Sequence, residues 1–449
     1  MFDRLRPRLR AYWQSLLDGL WFVPAVMIAG AIALAIVLIE LSDLVDRETL
    51  VTFPRLFGAN ASSSRSMLAT IAGAMMTVAG VTFSITVVAV TQASSQYTPR
   101  LLRNFMRDRP SQIALGTLTG VFVYCLVVLR TIRDGDDLRF IPSLAVLGAM
   151  LLALVAIGVL IYFIHHIAGA LQASGILARV GGESVAAIDR LFPDGMGEEA
   201  PATAHPELDE ITWHAVAAPR SGYLTGVDAD GLIVFADAHD TVVRMDHGVG
   251  DFVVAGTPLA GVATAPAVDA DSMADVAELF AISQYRTIDQ DAAFGIRQMV
   301  DMALRALSPG VNDTTTAVTC VHHLTPVLVR LADRRIENRF RTHAGQLRLI
   351  AEGSSFDRLV WLAVDQIRRN ADGNADVLAE LLQCLATVIA CTQDPRRRTV
   401  LRDHAELVRE TADRSIDGPP ANRVQVDAAF AAVQRALAAP ARLISRMND

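Results

Sequence analysis

The sequence predicts a multi-domain membrane protein: four α-helical transmembrane spans, then a small all-β module, then a C-terminal α-helical bundle. Three observations carry this. Four apolar runs, Gly19–Leu41, Met67–Ala93, Ile113–Ile132 and Leu144–Ala168, are each long enough to cross about 30 Å of hydrocarbon, which takes roughly 20 helical residues. From Thr212 to Val262 the composition turns to Val, Gly and Asp in short alternating runs, the pattern of strands between tight turns. From Met273 onward helical periodicity returns. The expected organisation is a transmembrane domain over 1–170, a linker helix and turn over 171–206, the β module over 207–266 and a cytoplasmic helical domain over 273–449.

With 449 residues, 52% of them hydrophobic, the chain is long enough for several domains. It contains no lysine; every basic residue is Arg. That excludes Schiff-base chemistry, a P-loop lysine and biotin or lipoyl attachment. The formal charge of -8 argues against nucleic acid as a partner. Cys125, Cys320, Cys384 and Cys391 form no CxxC pair and no cluster with His. They read as buried hydrophobes in a reducing compartment, with no metal and no cofactor expected.

The first span follows Arg4, Arg6, Arg8 and Arg10 and reads as a retained signal-anchor helix, its apolar run being too long for a signal peptide. Arginines also crowd the loop between the second and third spans, as Arg100, Arg103, Arg107 and Arg109, whereas the other two loops mix signs. The N-terminus, that middle loop and everything after Ala168 are therefore expected in the cytoplasm.

The second span holds the most informative pattern. Steps of four and three pick out Ser66, Thr70, Gly73, Thr77, Gly80, Ser84, Val87, Thr91 and Ser94, which share one helix face. This seam of hydroxyls and glycines is either a helix contact or the wall of a polar path. Its inner mouth is Gln92 to Gln96, followed by Pro99, which ends or bends the helix, and by a basic collar at Arg100 and Arg103. In the third span, Gly116-x-x-x-Gly120 permits close helix approach. Ionisable residues, including the pair His165–His166, keep to span ends, and no carboxylate of a proton-coupled transporter sits mid-membrane. The two histidines read as interfacial anchors.

Leu171 to Phe192 keeps helical periodicity, and Pro193 to Pro206 is a turn-rich acidic linker. The β-rich stretch then carries Ser221-Gly222-Tyr223-Leu224, a run Leu232–Phe235 read as a strand, Gly250-Asp251-Phe252-Val253 and Gly256-Thr257-Pro258-Leu259. It resembles the barrel-sandwich hybrid of biotinyl and lipoyl domains and of membrane-fusion proteins. The lysine a carrier domain would modify is missing, so this barrel-sandwich-like module is read as structural or docking.

In the helical part the densest polar motif runs from Arg286, Asp289 and Gln290 through Phe294, Gly295, Arg297, Asp301 and Arg305 to Ser308, Pro309, Gly310, Asn312 and Asp313. Residues 293–307 form an amphipathic helix that Pro309-Gly310 terminates, and Asn312 or Asp313 caps a helix starting near Thr314. Arg297, Asp301 and Arg305 place alternating charges on one face. Helices over Phe356–Arg369, Ala375–Cys391 and Val424–Leu443 complete a bundle, and Pro395-Arg396-Arg397-Arg398 reads as an exposed turn.

Two of these stretches, Ala93 to Leu102 followed by Asn104-Phe105 and Asp108-Arg109, and Asp289 to Arg297 running into Ala306–Asp313, resemble signatures of the bacterial "domain of unknown function 2254" family. Thr314 departs from it, standing where Pro is expected after Asn-Asp. The resemblance covers nearly the whole chain and implies four spans, a soluble C-terminal region and a bacterial cytoplasmic (inner) membrane location; it implies no reaction.

The reading ranked first is a homo-oligomeric ion channel or permeation pathway for small ions, lined by the second span and gated by the cytoplasmic domain. The runner-up is a membrane-anchored sensor or scaffold whose cytoplasmic domain binds a partner or ligand. A membrane enzyme on Arg286, Asp289, Asn312 and Asp313 ranks third and requires those groups to converge in a deep pocket.

Overall fold

The computed structural model describes residues 21–44, 61–96, 108–135, 138–170, 172–191, 198–199, 211–263, 270–288, 291–334, 339–417 and 419–440. The chain divides into two compact units, Met1–Gly175 and Ile176–Asp449.

The first unit is built from four long helices: α1 (Phe22–Leu44), α2 (Ala61–Gln96), α3 (Arg109–Thr131) and α4 (Ser143–Ala170). A two-stranded antiparallel ribbon, β1 (Arg133–Gly135) with β2 (Leu138–Phe140), joins α3 to α4. All four helices are long and apolar enough to span a membrane. At 1.5 Å per residue, the 36 residues of α2 reach about 54 Å, well beyond the hydrocarbon thickness of ~30 Å. Helix α3 is the hub and packs on α1, α2 and α4; 56% of its spanning window is buried, against 11% for α1 and 22% each for α2 and α4.

Small residues decide how closely these helices approach. A Cβ on Gly116 would stand 2.6 Å from the Met27 sulfur and 3.0 Å from Pro24 Cα, and one on Gly120 would touch Ala31. The Gly116-x-x-x-Gly120 pattern is thus the seat of α1. Gly148 on α4 leaves room for Tyr124, whose buried hydroxyl donates to the Ala145 carbonyl at 2.8 Å. The partner found inside the bundle offsets the cost of placing a phenol in an apolar core.

The second unit begins with all but the first residues of α5 (Ala173–Leu191). Gln172 forms a bend before it. Buried residues Ile176, Leu177, Val180, Ser184, Ala187 and Ile188 give α5 one apolar face at helical spacing.

The β-rich region is neither all-β nor a closed barrel, which corrects the sequence reading. Its strands are β3 (Glu198–Glu199), β4 (Trp213–Ala217), β5 (Gly222–Val227), β6 (Val243–Met245), β7 (Phe252–Val253), β8 (Pro258–Ala263), β9 (Phe280–Ser283), β10 (Phe340–His343) and β11 (Gln346–Ile350). The larger sheet has the strand order β3-β10-β11-β6-β8-β4, and the smaller one β7-β5-β9. The hairpin β10–β11 arrives from the helical half of the sequence, and β11 pairs in parallel with β6, Leu349 opposite Val243. Two helices, α6 (Ala229–Ala238) and α7 (Ala270–Glu278), interrupt the strands. The run Leu232–Phe235 belongs to α6. Asp228 caps that helix, accepting from the Gly231 N–H at 3.0 Å. Leu232, Ile233 and Ala236 are buried while Val234 is 67% exposed. That is helical spacing, whereas a strand would put Leu232 and Val234 on one face. The shared core gathers Val216, Leu224, Leu232, Val243, Val262, Phe280 and Leu349.

The remaining helices are α8 (Ala292–Ala306), α9 (Thr314–Asp333), α10 (Phe356–Asn370), α11 (Ala375–Cys391), α12 (Pro395–Ser415) and α13 (Val424–Ala438). Their ends are closed in a consistent way. Asp291, Asp313, Ser355, Asn374 and Asp394 cap N-termini through their side chains. Arginines close C-termini. Arg397 donates to the Ala332 and Arg334 carbonyls at the end of α9, at 2.9 and 2.7 Å. Arg398 donates to Ile389 of α11 at 3.0 Å and to Ala436 and Leu437 of α13 at 2.7 and 2.8 Å. Arg423 donates to the Asp413 carbonyl of α12 at 2.6 Å. The run Pro395–Arg398 is therefore the first turn of α12, not a free turn. A planar fork of five donors serves several carbonyls at once, which an ammonium does not. Replacing Arg398 by Ala should cost on the order of 2 kcal/mol, seen as a lower thermal midpoint in circular dichroism of the full chain. Arg398→Lys should restore only part of the loss.

Candidate functional site

Two regions were singled out by sequence, one in each unit. On α2, the face buried inside the bundle is Ala61, Ser64, Leu68, Ala72, Met75, Ala79, Thr82 and Ala89. The seam lies two residues out of step with it, hence on roughly the opposite side, since two residues turn a helix by about 200°. Ser66, Thr70, Gly73, Thr77, Gly80, Ser84, Val87 and Thr91 are all exposed on the chain. A Cβ added at Gly73 or Gly80 would meet nothing within 4 Å. The seam is therefore not a contact between spans of one chain. Its hydroxyls bond along their own helix: Thr70 to the Ser66 carbonyl at 2.8 Å, Thr77 to Gly73 at 2.9 Å and Thr91 to Val88 at 2.9 Å. Gln92 is exposed at the end of this face. The side chains of Ser94 and Gln96, and Pro99, Arg100 and Arg103 altogether, lie outside the described residues.

In the second unit, the polar motif forms three joints along α8. The first is at its N-terminus. Asp291, 4% exposed, caps α8 through the Phe294 N–H at 3.0 Å and pairs with Arg286 at 2.7 Å. The Arg286 guanidinium lies over the Phe294 ring, 5.1 Å from its centroid. Gly250 sits against both, at φ +96°, where a Cβ would come within 2.7 Å of Arg286 and of Asp291. The joint thus fixes α8 to the turn before β7. Burial pushes the Asp291 carboxyl above the ordinary carboxylate range, against the pull of Arg286. Asp289 and Gln290 lie outside the described residues.

The second joint is Gly295. A Cβ there would stand 2.0 Å from Ser184 Oγ and 3.0 Å from Ser184 Cβ, so only glycine lets α5 lie this close to α8. Helix α5 is held along its length as well: Gly181 lies by the His323 carbonyl of α9, and Asp189 pairs with Arg330 at 2.6 Å and with Arg334 at 2.7 Å.

The third joint is the turn from α8 to α9. The Ser308 carbonyl accepts from the Val311 and Asn312 N–H groups, and the Ala306 carbonyl accepts from Asp313 N–H at 2.8 Å. Asn312 takes a left-handed φ of +47°, which Asn tolerates better than most residues. Asp313 caps α9, accepting from the Thr316 N–H at 3.0 Å and hydroxyl at 2.6 Å; these bonds hold its carboxyl below the usual range. Pro309 and Gly310 are exposed. Arg297 and Asp301 pair along the helix at 3.1 Å.

The motif is thus spread along α8 rather than gathered in one pocket. Arg286 and Asn312–Asp313 sit at opposite ends of a 15-residue helix, roughly 20 Å apart. His322, on α9, pairs with Glu380 of α11 at 3.1 Å. Among the described residues, no group of three or more His, Cys, Asp and Glu could hold a metal ion. Sequence reasoning missed α12, the β10–β11 hairpin and one contact in the membrane unit, between His166 and Asp108. A histidine at the end of the fourth span and an acidic residue opening the third, expected on the same side, were the signals for it.

The fold and these regions define a membrane protein with four helices long and apolar enough to cross a bilayer, followed by a large mixed α/β and helical domain. The chain belongs to the family described as "Predicted membrane protein (DUF2254)", whose model matches residues 18–387. It is 34% identical over 421 residues to an uncharacterized protein of Mycobacterium tuberculosis strain CDC 1551, covering 91% of this chain and 78% of that one. An uncharacterized protein of Mycobacterium bovis matches with the same identity and coverage. No solved structure matches the chain. As a membrane protein it meets lipid, and Val37, Leu154 and Ile161 are among its exposed apolar side chains.

Two outcomes follow from the joints. Gly295→Ala should lower stability by about 1–3 kcal/mol through overpacking, and Ser184→Gly in the same chain should recover part of it, read as thermal midpoints of the two variants. The Asp189 carboxyl, raised by burial but pulled lower overall by Arg330 and Arg334, contributes stability that is full above the unfolded carboxylate pKa near ~4 and lost as pH falls below it. Acid unfolding of Asp189→Asn should therefore show a shallower pH dependence below about pH 4 than the parent chain.

Proposed function

We propose that this chain is the protomer of a homo-oligomeric permeation pathway for small ions, lined by α2 and gated by the domain that follows α5. One observation carries the reading: the hydroxyl–glycine face of α2 is turned away from its own bundle along its whole length. A face of Thr, Ser and Gly is a poor match to lipid tails, and in a membrane such faces meet other helices or water. Several copies turning this face toward a common axis give a wall with repeating hydroxyls and no mid-membrane charge. The clustering of Arg4 to Arg10 and of Arg100 to Arg109 supports cytoplasmic termini in a bacterial inner membrane.

A second reading has its own support. Thr70, Thr77 and Thr91 direct their hydroxyls to backbone carbonyls of their own helix. A seam satisfied in this way also suits dry packing between copies, and the protein is then a membrane-anchored sensor or scaffold whose extramembrane domain binds a partner or ligand.

Reconstitution in planar bilayers separates the two. The full chain should carry discrete ionic currents, and the double variant Thr77→Leu/Ser84→Leu should lose them by at least about tenfold while keeping its subunit number in nanodiscs. Absence of current from correctly assembled protein under all ionic and pH conditions sinks the pore and leaves the scaffold.

A further inference from the structure

The end of α4 meets the start of α3 through a polar contact. His166 Nε2 lies 2.9 Å from Asp108 Oδ1. The other carboxylate oxygen, Oδ2, caps α3 by accepting from the Ser111 N–H at 3.2 Å and hydroxyl at 2.5 Å. Tyr162 stacks on the imidazole, ring centroids 6.1 Å apart. On the neighbouring face of the same turns, Phe163 and Ile167 are buried in a cluster with Ala114 of α3 and Ala89 of α2. Ala89 is two residues from Thr91 and three from Gln92, the inner end of the seam. Whatever fixes the end of α4 therefore also fixes what packs behind the inner end of α2.

Among the described residues at this end, the titratable and charged groups are Asp108 and Arg109 on α3 and Tyr162, His165 and His166 on α4; the ends of α1 and α2 present Trp21, Phe22 and Gln92, without charge. Imidazole is the side chain whose charge changes between about pH 5 and 8. Protonation places a unit positive charge 2.9 Å from the carboxylate, so the attraction of opposite charges is added to a hydrogen bond that exists in both states. We propose that the His166–Asp108 contact is a proton-operated latch. Taking up one proton from solution turns the contact into an ion pair, which clamps α4 to α3 and holds Phe163 and Ile167 onto Ala89. Losing the proton leaves a single weaker hydrogen bond and frees the end of α4. The consequence for permeation rests on the pore reading; the latch itself does not.

The test is a distance. Spin labels at Val88 on α2 and Ile164 on α4, both exposed, are introduced into full-length protein whose four native cysteines are replaced, in nanodiscs. Pulsed dipolar spectroscopy should give one narrow distance at about pH 5.5 and a broadened distribution at about pH 8, the narrow population falling at least twofold. His166→Gln should give the broad distribution at both pH values. Asp108→Asn should do the same while keeping the α3 cap, since Asn is as good an N-cap as Asp. His165→Gln should retain the parent response. A distribution that ignores pH in the parent, or a pH response that survives His166→Gln, overturns the latch. A pH response in protein that carries no current overturns the pore reading and leaves the latch standing; current without a pH response does the reverse.

Discussion

A helix packed by one face leaves its other face to the surroundings, and in this bundle the constraint falls on α2. The centre is occupied by α3, which α1 approaches closely because Gly116 and Gly120 make room for it. Helix α4 closes on α3 through Gly148 and Tyr124. Helix α2 joins by the row Leu68, Ala72, Met75 and Ala79, and among the described residues nothing covers its opposite row. That row holds the glycines and hydroxyls. Had it been Leu and Val, lipid would be a sufficient neighbour. Its composition instead calls for other helices or for water, and the proposal of a symmetric assembly begins there.

The second unit solves a different problem with one residue type. Helix C-termini present carbonyls without intrahelical partners, and here Arg397, Arg398 and Arg423 reach across from neighbouring helices to serve them. In a chain without lysine, arginine is used as a structural cross-brace. The conspicuous polar motif around α8 has the same character. Arg286, Asp291 and Gly250 tie α8 to the sheet region, Gly295 admits α5, and the Ser308–Asp313 turn sets the angle into α9. Helix α5 follows the fourth span in sequence and is gripped by both α8 and α9.

Much of this was legible in the sequence because the signals were local. Span lengths follow from hydropathy. The helix Ala292–Ala306, its stop at Pro309-Gly310 and the cap at Asp313 follow from periodicity and capping chemistry. What failed was non-local. The stretch Leu232–Phe235 looks like a strand until Asp228 is seen to cap it. The larger sheet draws β10 and β11 from about a hundred residues downstream, and no spacing in 212–262 announces them. The arginines of Pro395–Arg398 look exposed because their acceptors lie on other helices. The seam was visible as a pattern, but that it faces outward depended on which row of α2 the other spans bury.

The most direct measurement is the reactivity of a single cysteine placed at Thr77 in an otherwise cysteine-free chain, in sealed proteoliposomes. A water-lined axis means that a small, charged, membrane-impermeant thiol reagent modifies this position, while a cysteine at Met76, exposed one residue away on the flank of the seam, stays unmodified. If position 77 reacts only with a lipid-soluble reagent, no water reaches the seam and the pore is contradicted.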